Sequence, residues 1–495
     1  MHVDIHNKKY NRTLVLVIMI LAAMSGALMQ TSLGTAIPTL MTSFNIDLNT
    51  AQEATTWFLL VNGIMVPLSA FLANKFSTKW LHVIAYALLF LGILISMLTP
   101  EKADMWWMFV AGRIIAAIAV GIILPLMQIV IINIYLPKER ALAMGMMGLV
   151  VGMAPAFGPT LTGLILEKSH TILGFTITND WQSIFLLPLI LAGFATLIAP
   201  FLMKDVIKNI NAKLDIPSLL ESVIGFGLFI WGFTNVANDG WTSMNTVVLP
   251  IAIGIILLII FVLRQLKLPV PFLDMRVFQS KGFTTATILI ILATMAMFGV
   301  EMMLPTYLQN VRGLTPLDSG LTLLYGALFM GIMSPIAGAI YNRVGVKMLS
   351  FVGFLLLTLG TIPFVFLNAE TPTVIITVLY AVRMAGIATV LMPLTTAAMD
   401  ALPTEKGADG TAANNTLRQV SSSIVVAIMT SVVQNIINNN APTKSLKLSD
   451  PLKFANQAIS ASLDGFQVAF AIGLGFAIIG LIFVFFVKNE KGATK

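Results

Sequence analysis

The chain has no cysteine, so disulfides, thiolate metal ligands and a cysteine nucleophile are all excluded. Its four histidines, His2, His6, His82 and His170, make no H-E-x-x-H zinc motif, since Val3 stands where a glutamate would have to follow His2. Charge is scarce as well. Asp, Glu, Lys and Arg together make 10% of the 495 residues, against about 25% in an average soluble domain. That is too little to clothe a soluble globule of this size. A soluble enzyme, a nucleic-acid binder and a disordered chain are thereby excluded. No G-x-x-x-x-G-K-[ST] loop occurs, so no ATP site of that type is present. What fills the chain is apolar: 57% of residues are hydrophobic and the mean hydropathy is +0.91. The expected fold class is an all-α polytopic membrane protein, with no metal and no organic cofactor.

A helix crossing the hydrocarbon needs about 20 apolar residues. Fourteen such runs are predicted, near 13–37, 54–74, 80–99, 106–134, 141–166, 182–203, 216–236, 245–264, 283–308, 318–341, 346–368, 372–399, 410–437 and 464–487. The first is too long for the apolar core of a signal peptide, and no A-x-A cleavage site follows it. Lys and Arg set the orientation. With the N-terminus inside, 20 of them fall on the inner side, six on the outer side and three (Arg113, Arg383, Arg418) within spans. Both termini are therefore predicted to be cytoplasmic, in a multi-pass cell-membrane protein. The net charge of +7 reflects topology rather than nucleic-acid binding. The segment 438–463, with Asn438-Asn439-Asn440, is predicted as the longest outer loop.

The chain also repeats itself. Gly63-Ile64-Met65-Val66-Pro67 matches Gly331-Ile332-Met333-Ser334-Pro335 at an offset of 268. Asn74/Asn342, Lys75/Arg343, Lys79/Lys347 and Leu124-Pro125-Leu126/Met392-Pro393-Leu394 keep that offset. Two parallel six-helix halves follow, 1–203 and 282–495, with a two-helix insert at 204–281. Such halves place a substrate site near the midplane between them, with rocking for alternating access.

Four motifs carry a resemblance. After the second span of each half stands a turn-and-charge pattern: Gly338, Asn342, Arg343, Gly345 and Lys347 in the second copy, and Ala70, Asn74, Lys75, Ser77 and Lys79 in the first. The fifth span reads Gly148-x-x-x-Gly152-x-x-Pro155-x-x-Gly158-Pro159-x-x-x-Gly163. Its small residues at four-spacing let two helices approach closely, and its prolines bend the helix. Arg113 lies in the fourth span, where a charge costs roughly 2.5–3.5 kcal/mol on insertion scales and so seeks a cavity or partner. Arg383 is its repeat mate. Asp180-Trp181 leads into the sixth span, where an interfacial tryptophan is also expected. These residues resemble the major facilitator superfamily, in the fourteen-span drug:proton antiporter branch (QacA/EmrB type).

That resemblance implies a major facilitator fold, protons as the coupling ion, and Asn74, Lys75, Gly338, Asn342, Arg343, Gly345 and the fifth-span Gly and Pro residues as the conformational motifs. Two positions depart from it: Asn74 stands for the motif acid, and Met29 for the first-span acid linked to cation recognition. Gln30 and Thr31 remain able to hydrogen-bond a neutral or zwitterionic substrate. Among the acids, Glu301 sits about nine ångströms inside the outer end of its span by helix rise. Glu301, with Arg113, is the expected coupling residue, whereas Glu221 reads as structural. Candidate substrate contacts are Gln30, Thr31, Trp57, Gln128, Phe298, Glu301, Tyr325, Phe329 and Tyr380. The expected function is proton-driven export of amphipathic small molecules by a monomer in membrane lipid. A narrow-substrate carrier of a lipid precursor or metabolite, and a non-transporting sensor or scaffold, stay open as alternatives.

Overall fold

The computed structural model describes residues 2–3, 9–135, 157–172, 175–206, 215–269, 271, 273–403, 406–443, 446 and 449–487. The first half comprises α1 (Arg12–Thr31), α2 (Leu33–Phe44), α3 (Leu48–Lys75), α4 (Thr78–Met97), α5 (Trp106–Ile134), α6 (157–167) and α7 (Leu186–Leu202). The insert forms α8 (Ile216–Asp239) and α9 (Leu249–Lys267). The second half comprises α10 (Lys281–Asn310), α11 (Pro316–Val344), α12 (Val346–Thr361), α13 (Thr373–Asp400), α14 (Gly407–Asn440) and α15 (Pro451–Phe483). A short hairpin, His170–Ile172 with Phe175–Ile177, fills the loop after α6.

Among the described residues, twelve helical segments are long and apolar enough to cross a membrane. The predicted runs 54–74 and 141–166 are not among them. The first is α3, a 28-residue helix that Asn49, Gln52, Glu53, Asn62 and Asn74 make more polar than its neighbours. Of the second, the described part is α6.

Local chemistry sets the helix ends. Asn11, Asp47, Ser280, Thr315 and Asp450 cap α1, α3, α10, α11 and α15, each side chain accepting from an amide of the first turn. Asn45 ends α2 in the left-handed region, at φ 53°. Two boundaries differ from the sequence expectation. The first span continues past 37, through a break at Ser32, to Phe44. The loop expected over 438–463 is shorter, because the Asp450 cap and Pro451 at the first turn start α15 thirteen residues earlier than its apolar run. Trp181 is packed inside the protein. It is 1% exposed, inside a cluster with Phe44, Phe109 and Phe185, and its indole donates to Glu101 at 2.8 Å.

The two halves pack alike. A Cβ on Gly92 of α4 would lie 2.7 Å from the Gly112 carbonyl of α5. A Cβ on Gly386 of α13 would lie 2.7 Å from the Gly353 carbonyl of α12. In each half two successive helices, α4 with α5 and α12 with α13, thus meet backbone to backbone, which is how helices associate where lipid removes the hydrophobic drive.

Candidate functional site

Two seams join the halves. On one, α3 lies along α14, where Ser423 Oγ donates to Thr56 O at 2.7 Å and Leu48 N to Gln434 Oε1 at 3.1 Å. On the other, α6 lies along α11. Thr160 Oγ1 donates to Gly320 O at 3.3 Å, and Gly163 faces the Pro316 carbonyl too closely for a Cβ. Between them α2 touches α10, with Gln309 Nε2 donating to Thr35 O at 2.9 Å. Among the described residues these cross-half bonds lie on the side of the molecule away from Lys75 and Arg343, termed the closed end, with the opposite side termed the open end.

Arg113 and Arg383 occupy matching places below the closed end. Arg113, wholly buried on α5, donates to the Met29 carbonyl of α1 and to Ala54 O at 3.4 Å. Its guanidinium stands 4.3 Å from the centre of the Phe58 ring. Arg383, 1% exposed on α13, donates to the Ala296 carbonyl of α10 at 2.9 Å and to Thr361 Oγ1 at 2.8 Å. It sits 5.4 Å from the Phe364 ring centre. Each arginine reaches the opening helix of its own half, and each keeps one guanidinium nitrogen, Nη2 of Arg113 and Nη1 of Arg383, buried without a hydrogen-bond partner among the described residues. Neither forms an ion pair with a described residue.

Glu301 is 6% exposed on α10, five residues after the Ala296 carbonyl that holds Arg383. Arg383 and Tyr380 are both within electrostatic reach of its carboxylate, which makes no hydrogen bond or ion pair to a described residue. Tyr380 is itself buried, packed so closely on Gly326 of α11 that no Cβ fits there. The structure therefore brings Glu301, Arg383 and Tyr380 together. The sequence reading paired Glu301 with Arg113, which lies in the other half.

The other expected residues are distributed. Thr31 closes α1, with Oγ1 donating to Ala27 O at 3.0 Å, and a Cβ on Gly158 would collide with it. The fifth-span motif thus packs on the break between α1 and α2. Gly158, Pro159 and Gly163 are buried at the closed end, whereas Gly148, Gly152 and Pro155 lie outside the described residues. Gln30 on α1, Gln128 on α5 and Phe298 on α10 are half-buried. Trp57 packs towards the insert, beside Leu60, Ile64, Ile230 and Val420. Tyr325 and Phe329 are half exposed and line a side groove of about 360 Å³ between α11, α12 and α13, with Val378, Ala381 and Ala385. In the turn motif, Gly345 has φ +86°, a conformation that favours glycine, and lets α11 pass directly into α12. Lys75 and Arg343 are exposed at the open end, where Lys75 Nζ lies over the Phe71 and Phe76 rings. Asn74 and Asn342 occupy the last turns of α3 and α11.

The sequence matches the family described as Major Facilitator Superfamily over residues 19–426. The chain belongs to the major facilitator superfamily. "Uncharacterized MFS-type transporter YcnB" of Bacillus subtilis (strain 168) is 38% identical over 491 residues, 99% of this chain and 98% of that one. "Lincomycin resistance protein LmrB" of the same organism is 34% identical over 487 residues, 98% of each chain. Among solved structures, a bacterial homologue of the human lysosomal transporter Spinster, inward-facing and unoccupied, aligns with a TM-score of 0.66 at 12% identity over 96% of each chain. This major facilitator member is thus a multi-pass membrane protein whose family and fold neighbours are transporters.

Proposed function

We propose that the chain is a proton-coupled exporter of amphipathic small molecules in the cell membrane, working as a monomer with both termini cytoplasmic. It has fourteen spans: the twelve helices above, α3, and the segment 141–166 that ends in α6. The units are the first bundle 1–203, the insert 204–281 and the second bundle 282–495. The closed end is the outer one, since Lys75 and Arg343 mark the positive inside.

Glu301 carries this reading. A carboxylic acid buried in a span without an ion-pair partner is costly, and such groups mark proton relays and ion pathways. Water from the outside protonates it when the closed end parts, and substrate leaves. Facing inward it loses the proton and regains a charge that substrate can use. Two ligands competing for one site exchange across the membrane. The likeness to a lincomycin resistance protein supports drug-like substrates. Met29, in the place of the first-span acid, favours neutral or zwitterionic substrates over dications.

The test is Glu301→Gln in inverted vesicles, with lincomycin and a panel of amphipathic compounds as probes. The variant keeps the shape but cannot titrate. Proton-driven export should fall at least tenfold while compound binding persists. Export at the unmodified rate against a gradient overturns the reading.

A further inference from the structure

Among the described residues the insert sits over one seam only. Helix α8 packs on α3 and α14, one helix from each half, and on α9. Ile230 of α8 is fully buried among Leu60 and Ile64 of α3 and Val420 and Ala427 of α14, with Phe226, Phe229 and Phe233 closing the edges. Polar bonds fix the same junction. Asn49 Nδ2 of α3 donates to Thr234 O at 2.6 Å, and Ser431 Oγ of α14 donates to Phe233 O at 2.6 Å. Ser431 Oγ also lies 3.4 Å from Asn49 Oδ1, so α3, α8 and α14 share one hydrogen-bonded node.

Helix α9 backs this panel. A Cβ on Gly254 would be 2.7 Å from the Gly225 carbonyl, so α8 and α9 are in backbone contact. The two helices are pinned at the other end by Asp215, whose carboxylate takes both Arg264 Nε at 2.5 Å and Nη2 at 2.8 Å. The remaining face of α9, Ile253, Ile256, Ile259 and Leu263, is exposed and apolar, as a lipid-facing surface should be. Among the described residues no helix of the insert stands over α11. Its apolar row Phe329, Ile332, Ile336 and Ile340 is exposed among the described residues, and Ile332 is 61% exposed.

We propose that α8, backed by α9, is a lateral seal that keeps bilayer lipid and membrane-dissolved compounds out of the α3–α14 seam. Such compounds then reach the interior from the α11 side. The second half of this inference rests on the export reading; the seal itself does not.

Because the chain lacks cysteine, single cysteines test it directly. Ala427→Cys places a thiol in the sealed seam and Ile332→Cys one on α11. With a membrane-dissolved maleimide in proteoliposomes, position 332 should label at least tenfold faster than 427. Equal rates overturn the seal. In the Ile230→Ala/Phe233→Ala background, labelling at 427 should rise severalfold while 332 stays unchanged, which also certifies the fold. No rise at 427 means that α3 and α14 close the seam by themselves, and the proposal is wrong. For the access route the probe is a membrane-partitioning bisbenzimide dye. Ile332→Trp should slow its export severalfold, and Ile256→Trp on α9 should not; equal effects overturn the route. If the unmodified chain exports no dye, the export reading fails while the labelling result still judges the seal.

Discussion

Replacing Gly386 by alanine tests how tightly the second half is built around Arg383. The added Cβ would lie 2.7 Å from the Gly353 carbonyl and 2.8 Å from the Leu357 amide nitrogen. Both are backbone atoms in a helix, so neither can rotate away, and α12 and α13 must separate. Overpacking of this kind costs about 1–3 kcal/mol. Alanine returns about 0.5–1 kcal/mol of helix propensity. The net expectation is a loss of up to about 2.5 kcal/mol, centred near 1 kcal/mol, which is roughly 2–4 °C in melting temperature at the 2–4 °C per kcal/mol seen for larger domains. The strain falls one turn from Arg383, whose bonds to Ala296 O at 2.9 Å and Thr361 Oγ1 at 2.8 Å depend on the spacing of α10, α12 and α13. Thermal unfolding of the purified protein in detergent reads the effect. Gly92→Ala should behave in the same way, since its Cβ would meet the Gly112 carbonyl and the Ala116 nitrogen. Gly227→Ala, with no described atom within 4 Å, should be neutral or stabilising. If Gly386→Ala melts at or above the unmodified protein, the backbone contact between α12 and α13 is not as drawn.

Gly158→Leu, which drives a side chain into Thr31 and Ser32, should abolish export in vesicles while the protein still reaches the membrane; normal export would remove the fifth-span motif from the mechanism. Arg113→Met should lose export yet melt within a few degrees of the unmodified protein, because the loss of two hydrogen bonds to carbonyls is offset by the removal of a buried cation that has no ion-pair partner among the described residues. Asp215 supplies a pH prediction. The hydrogen-bonded Arg264 guanidinium holds its carboxyl well below the usual carboxylate range. The folded value is thus lower than the unfolded one. Its contribution is complete above about pH 4, the unfolded value, and is lost as pH falls through the folded value. Asp215→Asn should therefore melt lower than the unmodified protein at pH 7, and the gap should narrow below about pH 4.

Most of the helical layout was legible because lipid leaves few choices: an apolar run of span length must be a helix. The exceptions have local causes. Helix α15 starts early because a helix in water depends on caps and propensity, and Asp450-Pro451 supplies the start where hydropathy is silent. The pocket candidates were the least legible. Tyr325 and Phe329 lie four apart on α11 and share the side groove, while Tyr380, on the adjoining helix, is turned inward against Gly326. Hydropathy does not distinguish these faces, since lipid and a membrane-protein interior are both apolar. Arg113 and Arg383 were legible by charge alone, but not their acceptors, which are backbone carbonyls and carry no sequence signal. The place of the insert over the α3–α14 seam had no signal either, because contacts between distant helices leave no periodicity.

The repeat itself locates the chemistry. Both halves present a buried arginine from the fourth helix to a carbonyl on the first, Met29 for Arg113 and Ala296 for Arg383. The scaffold is therefore symmetric. The acids are not. In the first half the two positions where the resemblance calls for an acid hold Met29 and Asn74. Among the described residues Arg113 has no carboxylate within ion-pair reach, and its surroundings are carbonyls and the Phe58 ring. In the second half Glu301 of α10 lies within electrostatic reach of Arg383 of α13. A group that must gain and lose a proton needs a neighbour that responds to its charge, and the second half supplies one. On the function proposed above, the first half would serve as the fixed partner against which a charge-bearing second half rocks. On this argument the coupling residue belongs to α10, and substitutions that change proton dependence should cluster around Glu301, Tyr380 and Arg383 rather than around Arg113.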